Sequence, residues 1–340
     1  MTGTVVPRFD HLCQLTDDRG TFEHALFTEA RREHGYCTDD MARVLVVATR
    51  EPHATSRVLE LARTSIRFLA DAQSSDGRYR NRMNQRGRWD DRPALEDCWG
   101  RSIWGLGTAV SHTNDIWLRV SAMVQFERAV KQRSEYPRAM AFAAIGAAEL
   151  LATEPRHRGA HSLLTDAADS MALPRSDPRW PWPEARLRYA NAVVPEAMIA
   201  AGSVLQRPSL LRHGLQLLSW LLDYETSKDG HLSVTPVGGA GPGDARPAFD
   251  QQPIEVAALA DACARAASVD GDRRWLDGIN AAHAWFLGAN DGQHVMWDKK
   301  TGGGFDGLTP GGANLNEGAE STLALLATLQ HARRLVTVAR

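Results

Sequence analysis

Six times along this 340-residue chain a polar, turn-rich loop runs straight into an apolar helical stripe. The starts fall near Asp39 (GYCTDDMARVLVVAT), Asp97 (LEDCWGRSIWGLGTAV), Pro137 (YPRAMAFAAIGAAELL), Pro195 (ANAVVPEAMIAAGSVL), Pro253 (FDQQPIEVAALADACA) and Glu317 (NLNEGAESTLALLATL), at intervals of 58, 40, 58, 58 and 64 residues. One such interval holds a second helix and two loops. A slow repeat of paired helices builds a closed helical toroid or a helical array, because each pair covers the apolar face of its neighbours. The constraint reaches function: loops at one end of a closed ring converge on one pocket, and these loops carry the carboxylates and aromatics.

Local chemistry marks the starts. Pro137, Pro195 and Pro253 stand at first helical positions, where the missing amide hydrogen has no helical acceptor to lose. The other starts offer Asp, Asn or Glu near the cap. The helices that follow are small and apolar around most of their circumference (AMAFAAIGAAELL, EVAALADACARAA), the pattern of a helix buried on most sides. Between them lie more polar partners at Ser56–Gln73, Asp115–Lys131, about Ala160–Met171, Ser209–Tyr224 and Asp272–Gly288. That makes five partners for six inner helices, so the sixth is missing or is replaced by the N-terminal segment. Residues 1–34 read as a strap laid on the barrel through Phe22, Leu26 and Phe27, residues 35–335 as the barrel, and 336–340 as a tail.

The bulk numbers narrow the class. A hydrophobic fraction of 43% and a charged fraction of 24% are those of a globular protein. A net charge of −2 exerts no pull on nucleic acid or anionic membrane. No segment is long and apolar enough to span a bilayer, and the first residues hold no apolar run of a secretion signal. Cys13, Cys37, Cys98 and Cys263 are far apart and form no CxxC pair. Reduced thiols in a cytoplasm are the simplest reading, and no metal or cofactor is expected. The Gly-rich loops GGAGPGD and TGGGFDG lack the order of a phosphate loop. The HxxxH at His157 and His161 has no third ligand near it.

Acidic residues gather at the helix starts. Asp39 and Asp40 open one helix, Glu96 and Asp97 the next, with Arg43 and Arg101 each four residues after an aspartate. A cap plus an intrahelical ion pair explains either pair alone. Two such pairs, with Tyr36 and Trp99 beside them, point to a functional rim. An acid held by a helix start and an arginine stays ionised, which suits a general base or an acceptor of sugar hydroxyls. In Trp180-Pro-Trp182-Pro-Glu184, two indoles flank a carboxylate on a stiff backbone. The plain reading is a packed loop. The functional one is a sugar platform, since pyranose C–H faces pack on indole and apolar rings raise the pKa of a carboxyl acting as acid. Asp250, Gln251 and Gln252 crowd the mouth before Pro253, and Gln amides suit hydroxyl recognition. Glu317 and Glu320 lie one turn apart at the last start.

The ordered set GYCTDDMAR, EDCWGR, WPWPE with YANAVVPEA, FDQQPIE and NEGAEST resembles the (α/α)6 domain of bacterial proteins labelled glycosyltransferases, over about residues 7–335. More broadly it resembles the six-hairpin glycosidases. The resemblance implies an all-α fold, an (α/α)6 toroid, with Asp39, Asp40, Glu96, Asp97, Glu184, Asp250 and Glu317 carried over at the inner-helix mouths. A nucleotide-sugar transferase needs a doubly wound α/β domain to hold its diphosphate, and the sequence has no alternating strand–helix pattern. The expected activity is inverting hydrolysis of an oligosaccharide or glycoconjugate, with Glu184 as acid, Asp97 or Asp40 as base and Glu317 in reserve. Tyr36, Asp39, Glu96, Trp99, Arg101, Trp180, Trp182, Asp250, Gln251 and Gln252 are expected to bind substrate. Two alternatives stand beside it. One is a sugar epimerase, for which His231 and His34 are the loop histidines available. The other is a non-catalytic glycan-binding module serving a separate glycosyltransferase.

Overall fold

The computed structural model describes residues 5–338. Its twelve α-helices are α1 (Asp10–Gln14), α2 (Thr38–Thr49), α3 (Ser56–Ala72), α4 (Asp97–His112), α5 (Ile116–Ala129), α6 (Pro137–Thr153), α7 (Arg158–Ser170), α8 (Val193–Val204), α9 (Pro208–Tyr224), α10 (Pro253–Ala267), α11 (Arg274–Phe286) and α12 (Ala319–Val338). The six expected starts are met within two residues, at Thr38, Asp97, Pro137, Val193, Pro253 and Ala319. Pro195 therefore lies inside the first turn of α8, where a proline costs no helical hydrogen bond. The segment 336–340 read as a tail is helical to Val338, and the remainder lies outside the described residues. Three two-stranded antiparallel ribbons join the helices: β1 (Ala25–Leu26) with β2 (Glu29–Ala30), β3 (Tyr36–Cys37) with β4 (Arg82–Met83), and β5 (Gly307–Thr309) with β6 (Gly312–Asn314).

The chain forms two compact units. One holds the residues up to His11, Ala172–Ile199 and those from Ser209 on; the other holds Leu12–Met171 and Ala200–Pro208. In the second, α4 packs on both α2 and α6. Every residue of α4 from Cys98 to Val110 is buried, as is every residue of α6 from Arg138 to Leu151. Helices α3 and α7 bury one side only: Val58, Leu61, Ala62, Thr64, Ser65, Ile66, Phe68, Leu69 and Ala72 of α3, and Ala160, Leu163, Leu164, Ala167 and Ala168 of α7. Their starts are capped by side chains: Thr55 Oγ1 accepts from the Val58 amide, and His157 Nδ1 from that of Ala160. His157 is thus the α7 cap.

Glycine lets α4 and α6 approach to backbone contact. A Cβ placed on Gly107 would lie 2.0 Å from the Gly146 carbonyl oxygen, and one on Gly146 would lie 2.3 Å from that of Ile103. Side chains this small, packed this closely, fix the separation of the two helices.

In the first unit α10 packs on α11 and α12. The loop before α10 is stitched to β5 by reciprocal 2.9 Å bonds between the backbones of Gln251 and Leu308. The short α1 meets the residues leading into α12, where His11 Nε2 donates to the Glu317 carbonyl oxygen at 2.7 Å. The strap is anchored less broadly than expected. Phe22 is buried and stacked on Tyr36 at 4.6 Å, but Leu26 and Phe27 are exposed because they sit at the turn of the β1–β2 ribbon.

Candidate functional site

Both units hold clusters of polar side chains near their helix mouths. In the second unit the centre is Arg101. One turn inside α4, its buried guanidinium lies 4.2 Å from the centre of the Phe142 ring. Asp97 Oδ2 lies 3.6 Å from Arg101 Nη2 as expected, but Asp39 Oδ1 also lies 3.6 Å from Arg101 Nε. Arg43 instead pairs with Asp40, at 2.5 Å. One guanidinium therefore gathers carboxylates from the mouths of two adjacent helices. Asn81, on the hairpin that β4 opens, donates to Asp39 Oδ2 at 3.0 Å. At 3.6 Å the ion pairs with Arg101 are too long for hydrogen bonds, so Asp39 Oδ1 and Arg101 Nε find no hydrogen-bond partner. Asp39 and Asp97 are both part-exposed, as an acceptor of water or of a sugar hydroxyl must be.

Asp40 was the other candidate base, and its position speaks against that role. Its side chain is 3% exposed and paired with Arg43, so no solvent or substrate proton reaches it. Tyr36 and Trp99 are also withdrawn. The Tyr36 hydroxyl donates to Asp17, and burial, followed by that contact, raises its pKa. The Trp99 indole donates to the Ala129 carbonyl oxygen with no ring face exposed. Both rings are buried in the core. Glu96 is exposed and holds no partner. The Cys37 thiol is pushed up by burial and then by the carboxylates of Asp40, Asp39 and Glu23. Glu23, Cys37 and Asp40 each bring one donor atom within 4.8 Å of the others, but Arg82 and Arg43 already engage the two carboxylates.

Replacing Arg101 with Met is expected to destabilise the protein by about 2–3 kcal/mol, measured by urea unfolding. The loss should be smaller than for a fully buried pair, because Asp39 and Asp97 keep contact with water. Adding Asp39→Asn and Asp97→Asn should recover part of it, since the carboxylates then need no counter-charge. No recovery would mean that Arg101 acts through packing on Phe142 alone.

In the first unit the WPWPE loop is packed, not a platform. Trp182 is fully buried and Trp180 nearly so, among Trp220 and Tyr224 with ring centres 5.2–6.2 Å apart. The two indoles close over their neighbours because the intervening prolines fold the loop back on α9. Glu184 remains part-exposed; its Oε2 accepts from the Trp182 indole at 3.3 Å, and its Oε1 lies 3.9 Å from Arg188 Nε. Gln251, expected to bind substrate, is fully buried and donates to Asp291 Oδ2 at 2.5 Å and to the Ala248 carbonyl oxygen. Gln252 is half-buried at the α10 cap without a side-chain cap bond, and Asp250 is exposed with a free carboxylate.

Gln251 belongs to a relay that the sequence did not reveal. Asp291 also accepts from His231 Nε2, at 2.9 Å. Burial alone would raise the Asp291 pKa, but the nearby Ser233 hydroxyl and the hydrogen bonds from Gln251 and His231 outweigh it and lower it. The Asp291 carboxylate accepts, so His231 Nε2 is the donor, and Nδ1 of this part-exposed ring makes no hydrogen bond among the described residues. His231 and Asp291 are 60 residues apart, and no local pattern pairs them.

Glu317 is buried beneath Thr301, whose hydroxyl donates to Oε2 at 2.6 Å, with His11 Nδ1 at 3.5 Å. Burial, the leading cause, raises its pKa above the ordinary 4.5. The folded chain thus holds a proton that the unfolded chain has already released. Stability from this group is full below about 4.5 and is lost as pH rises through the higher folded value. Glu317→Gln should therefore gain stability relative to the parent across that window, read by urea unfolding at each pH. A flat difference would show that His11 already neutralises the buried charge.

No family model matches this chain, and no curated protein sequence does. Solved structures do. A cellobiose 2-epimerase from Bacillus thermoamylovorans superposes with a TM-score of 0.73 at 10% identity, covering 96% of each chain. A sugar epimerase from a ruminal bacterium gives 0.70 at 13% identity, covering 95% of each. The GH76 α-mannanase BT2949 of Bacteroides thetaiotaomicron gives 0.66 at 11% identity, covering 96% of this chain and 93% of the other. Such identities establish architecture, not activity. The chain has the (α/α)6 six-hairpin fold, in which these epimerases and this mannanase are also built.

Proposed function

We propose that this protein is a carbohydrate-active enzyme that hydrolyses a glycosidic bond in an oligosaccharide or glycoconjugate, with inversion. The observation that carries the proposal is the convergence of the part-exposed Asp39 and Asp97 on the single buried Arg101. Two carboxylates gathered at one guanidinium can together orient one water. Asp97 is the assigned base. It removes a proton from water as the oxygen attacks the anomeric carbon, while a carboxyl group protonates the departing oxygen. The expected acid, Glu184, belongs to the other compact unit, so its assignment rests on the sequence resemblance alone. Names of structural neighbours that act on sugars support the substrate class: a sugar epimerase, a mannose isomerase and a mannanase. A separate glycosyltransferase as partner rests on the sequence resemblance alone.

A second reading, sugar epimerisation, is favoured by one observation: His231 presents a free Nδ1 while Asp291 holds its Nε2. An imidazole oriented in this way is a general base for a C–H proton next to a carbonyl. One experiment separates the readings. A panel of oligosaccharides is incubated with the protein in deuterated water and followed by NMR. Hydrolysis gives new reducing ends, with the first anomer inverted and no deuterium on carbon. Epimerisation places deuterium on a ring carbon without new ends. A panel left untouched rules out both in favour of a binding module.

A further inference from the structure

Residues 7–11 are fastened to the segment leading into α12 by a buried histidine, within the first unit. Both ring nitrogens of His11 face Glu317. Nε2 donates to the Glu317 carbonyl oxygen at 2.7 Å, so this nitrogen carries the hydrogen of the neutral ring. Nδ1 then presents a lone pair. It makes no hydrogen bond among the described residues, and it faces Glu317 Oε2 at 3.5 Å.

The loop before β5 encloses the same carboxyl group. Thr301 donates its hydroxyl to Oε2 at 2.6 Å. A Cβ on Gly303 would lie 2.0 Å from Oε2 and 2.8 Å from His11 Cδ2, so glycine lets the loop backbone lie against both side chains. Arg8 ties the first residues to this loop as well: Nη1 donates to the Lys299 carbonyl oxygen at 2.9 Å, while Nη2 pairs with Asp10 at 3.0 Å. Pro7 and Phe9 are buried, a contribution that does not respond to pH.

The contact between His11 Nδ1 and Glu317 needs a proton. Without one, a lone pair and a carboxylate face each other away from water, which is unfavourable. With one, the contact is attractive, as an ion pair if the ring holds the proton and as a neutral pair if the carboxyl does. The surrounding charges offer no substitute. Burial, first, and then Asp298 and Asp306 oppose the anionic form of Glu317, against Thr301 and His11. Asp306 is itself held by the Gly318 amide and the Ser321 hydroxyl. Arg8 is paired with Asp10, Lys299 and Lys300 are exposed, and Glu320, one turn on, is a further acid. We propose that residues 7–11 form a latch, closed by one proton held between His11 and Glu317 and released when that proton leaves. In water, a histidine and a glutamate together hold one proton between about pH 4.3 and 6.5, and none above. The closed latch still holds one. Rising pH above about 6.5 therefore favours the open form, by up to about tenfold per pH unit.

The test uses the full chain and needs no substrate. Trypsin cuts after Arg8 only when the latch is open. Between pH 7 and 9 that cleavage, relative to a free peptide of residues 5–14, should rise about tenfold or more in the parent. Over the same range the buried Nε2 hydrogen of His11 should lose its NMR signal to exchange with water. Glu317→Gln puts a non-titrating amide opposite Nδ1, able to donate to it at every pH, and should stay resistant and keep the signal through pH 9. His11→Gln removes the titrating ring, so its relative cleavage should be the same at pH 7 and pH 9, and it decides the matter if Glu317→Gln does not fold. A parent whose relative cleavage stays flat, or whose ring signal survives to pH 9, overturns the proposal. So does either variant that reproduces the parent's rise, since the release would then come from other groups.

Discussion

Replacing Asp97 with Asn is expected to lower turnover by about 10²–10⁴-fold on whatever glycoside the protein cleaves, the range lost with a positioned general base. Asparagine keeps the shape and can still accept a hydrogen bond, but it cannot take a proton from water. Stability should hardly change. The Asp97 carboxylate is part-exposed and 3.6 Å from Arg101, and an ion pair of that kind contributes about 1 kcal/mol or less. The variant should therefore separate chemistry from folding: an unchanged urea midpoint with a collapsed kcat. Asp39→Asn should cost less in kcat, because Asp39 helps to hold the water and does not receive its proton. Glu154→Gln serves as the control, since Glu154 is exposed at the C-terminal end of α6, the end opposite its mouth. If Asp97→Asn retains turnover close to that of Glu154→Gln, the Arg101 cluster is structural and the catalytic assignment is wrong. Assaying Glu184→Gln and Glu317→Gln in parallel would then show whether either carboxyl is the proton donor.

The second large effect concerns stability. Gly146→Val is expected to destabilise the protein by about 3–5 kcal/mol or to prevent folding, at the upper end of what overpacking does. The new Cβ would start 2.3 Å from the Ile103 carbonyl oxygen, and that oxygen belongs to a helix backbone that cannot swing aside as a side chain can. Helices α4 and α6 would have to part along their whole shared face. That would also pull apart the 2.5 Å bond from the Ser111 hydroxyl to the Glu149 carbonyl oxygen. Gly107→Ala should act in the same direction, with its Cβ 2.0 Å from the Gly146 carbonyl oxygen. Gly271→Ala is the control: a Cβ there meets nothing within 4 Å, and stability should stay within about 0.5 kcal/mol. Urea unfolding of the three variants decides the matter. A Gly146→Val protein as stable as Gly271→Ala would mean that the helices are held apart by something other than backbone contact.

The two predictions draw on different kinds of information, and the sequence supplied them unequally. Helix starts were legible to within two residues because a start is a local event. It depends on a cap, a proline or an acid, and on the apolar stripe in the next few turns. The stripe of α6 is so nearly uniform that its burial on all sides could be read from AMAFAAIGAAELL alone. The acids at the mouths were also legible as a set, because they precede those stripes. Their partners were not. A four-residue spacing suggested Asp39 with Arg43, yet Arg43 takes Asp40, and Asp39 turns to an arginine of the next helix. Both choices are good helix geometry, and only the neighbouring helix breaks the tie.

The aromatic residues mark the same boundary. Two indoles beside a carboxylate read equally as a sugar platform or a packed loop, and α9 decided for packing by placing Trp220 and Tyr224 against them. His231, Asp291 and Gln251 carry no local signature as a group. The chain by itself determined where helices begin, which are buried all round and which residues can bear charge at their mouths, because those properties are set within a few turns by hydrogen bonding and apolar periodicity. Tertiary structure alone decided which acid meets which base and which ring still sees water, because a carboxylate's partner and a ring's exposure depend on atoms brought close across tens of residues of intervening chain.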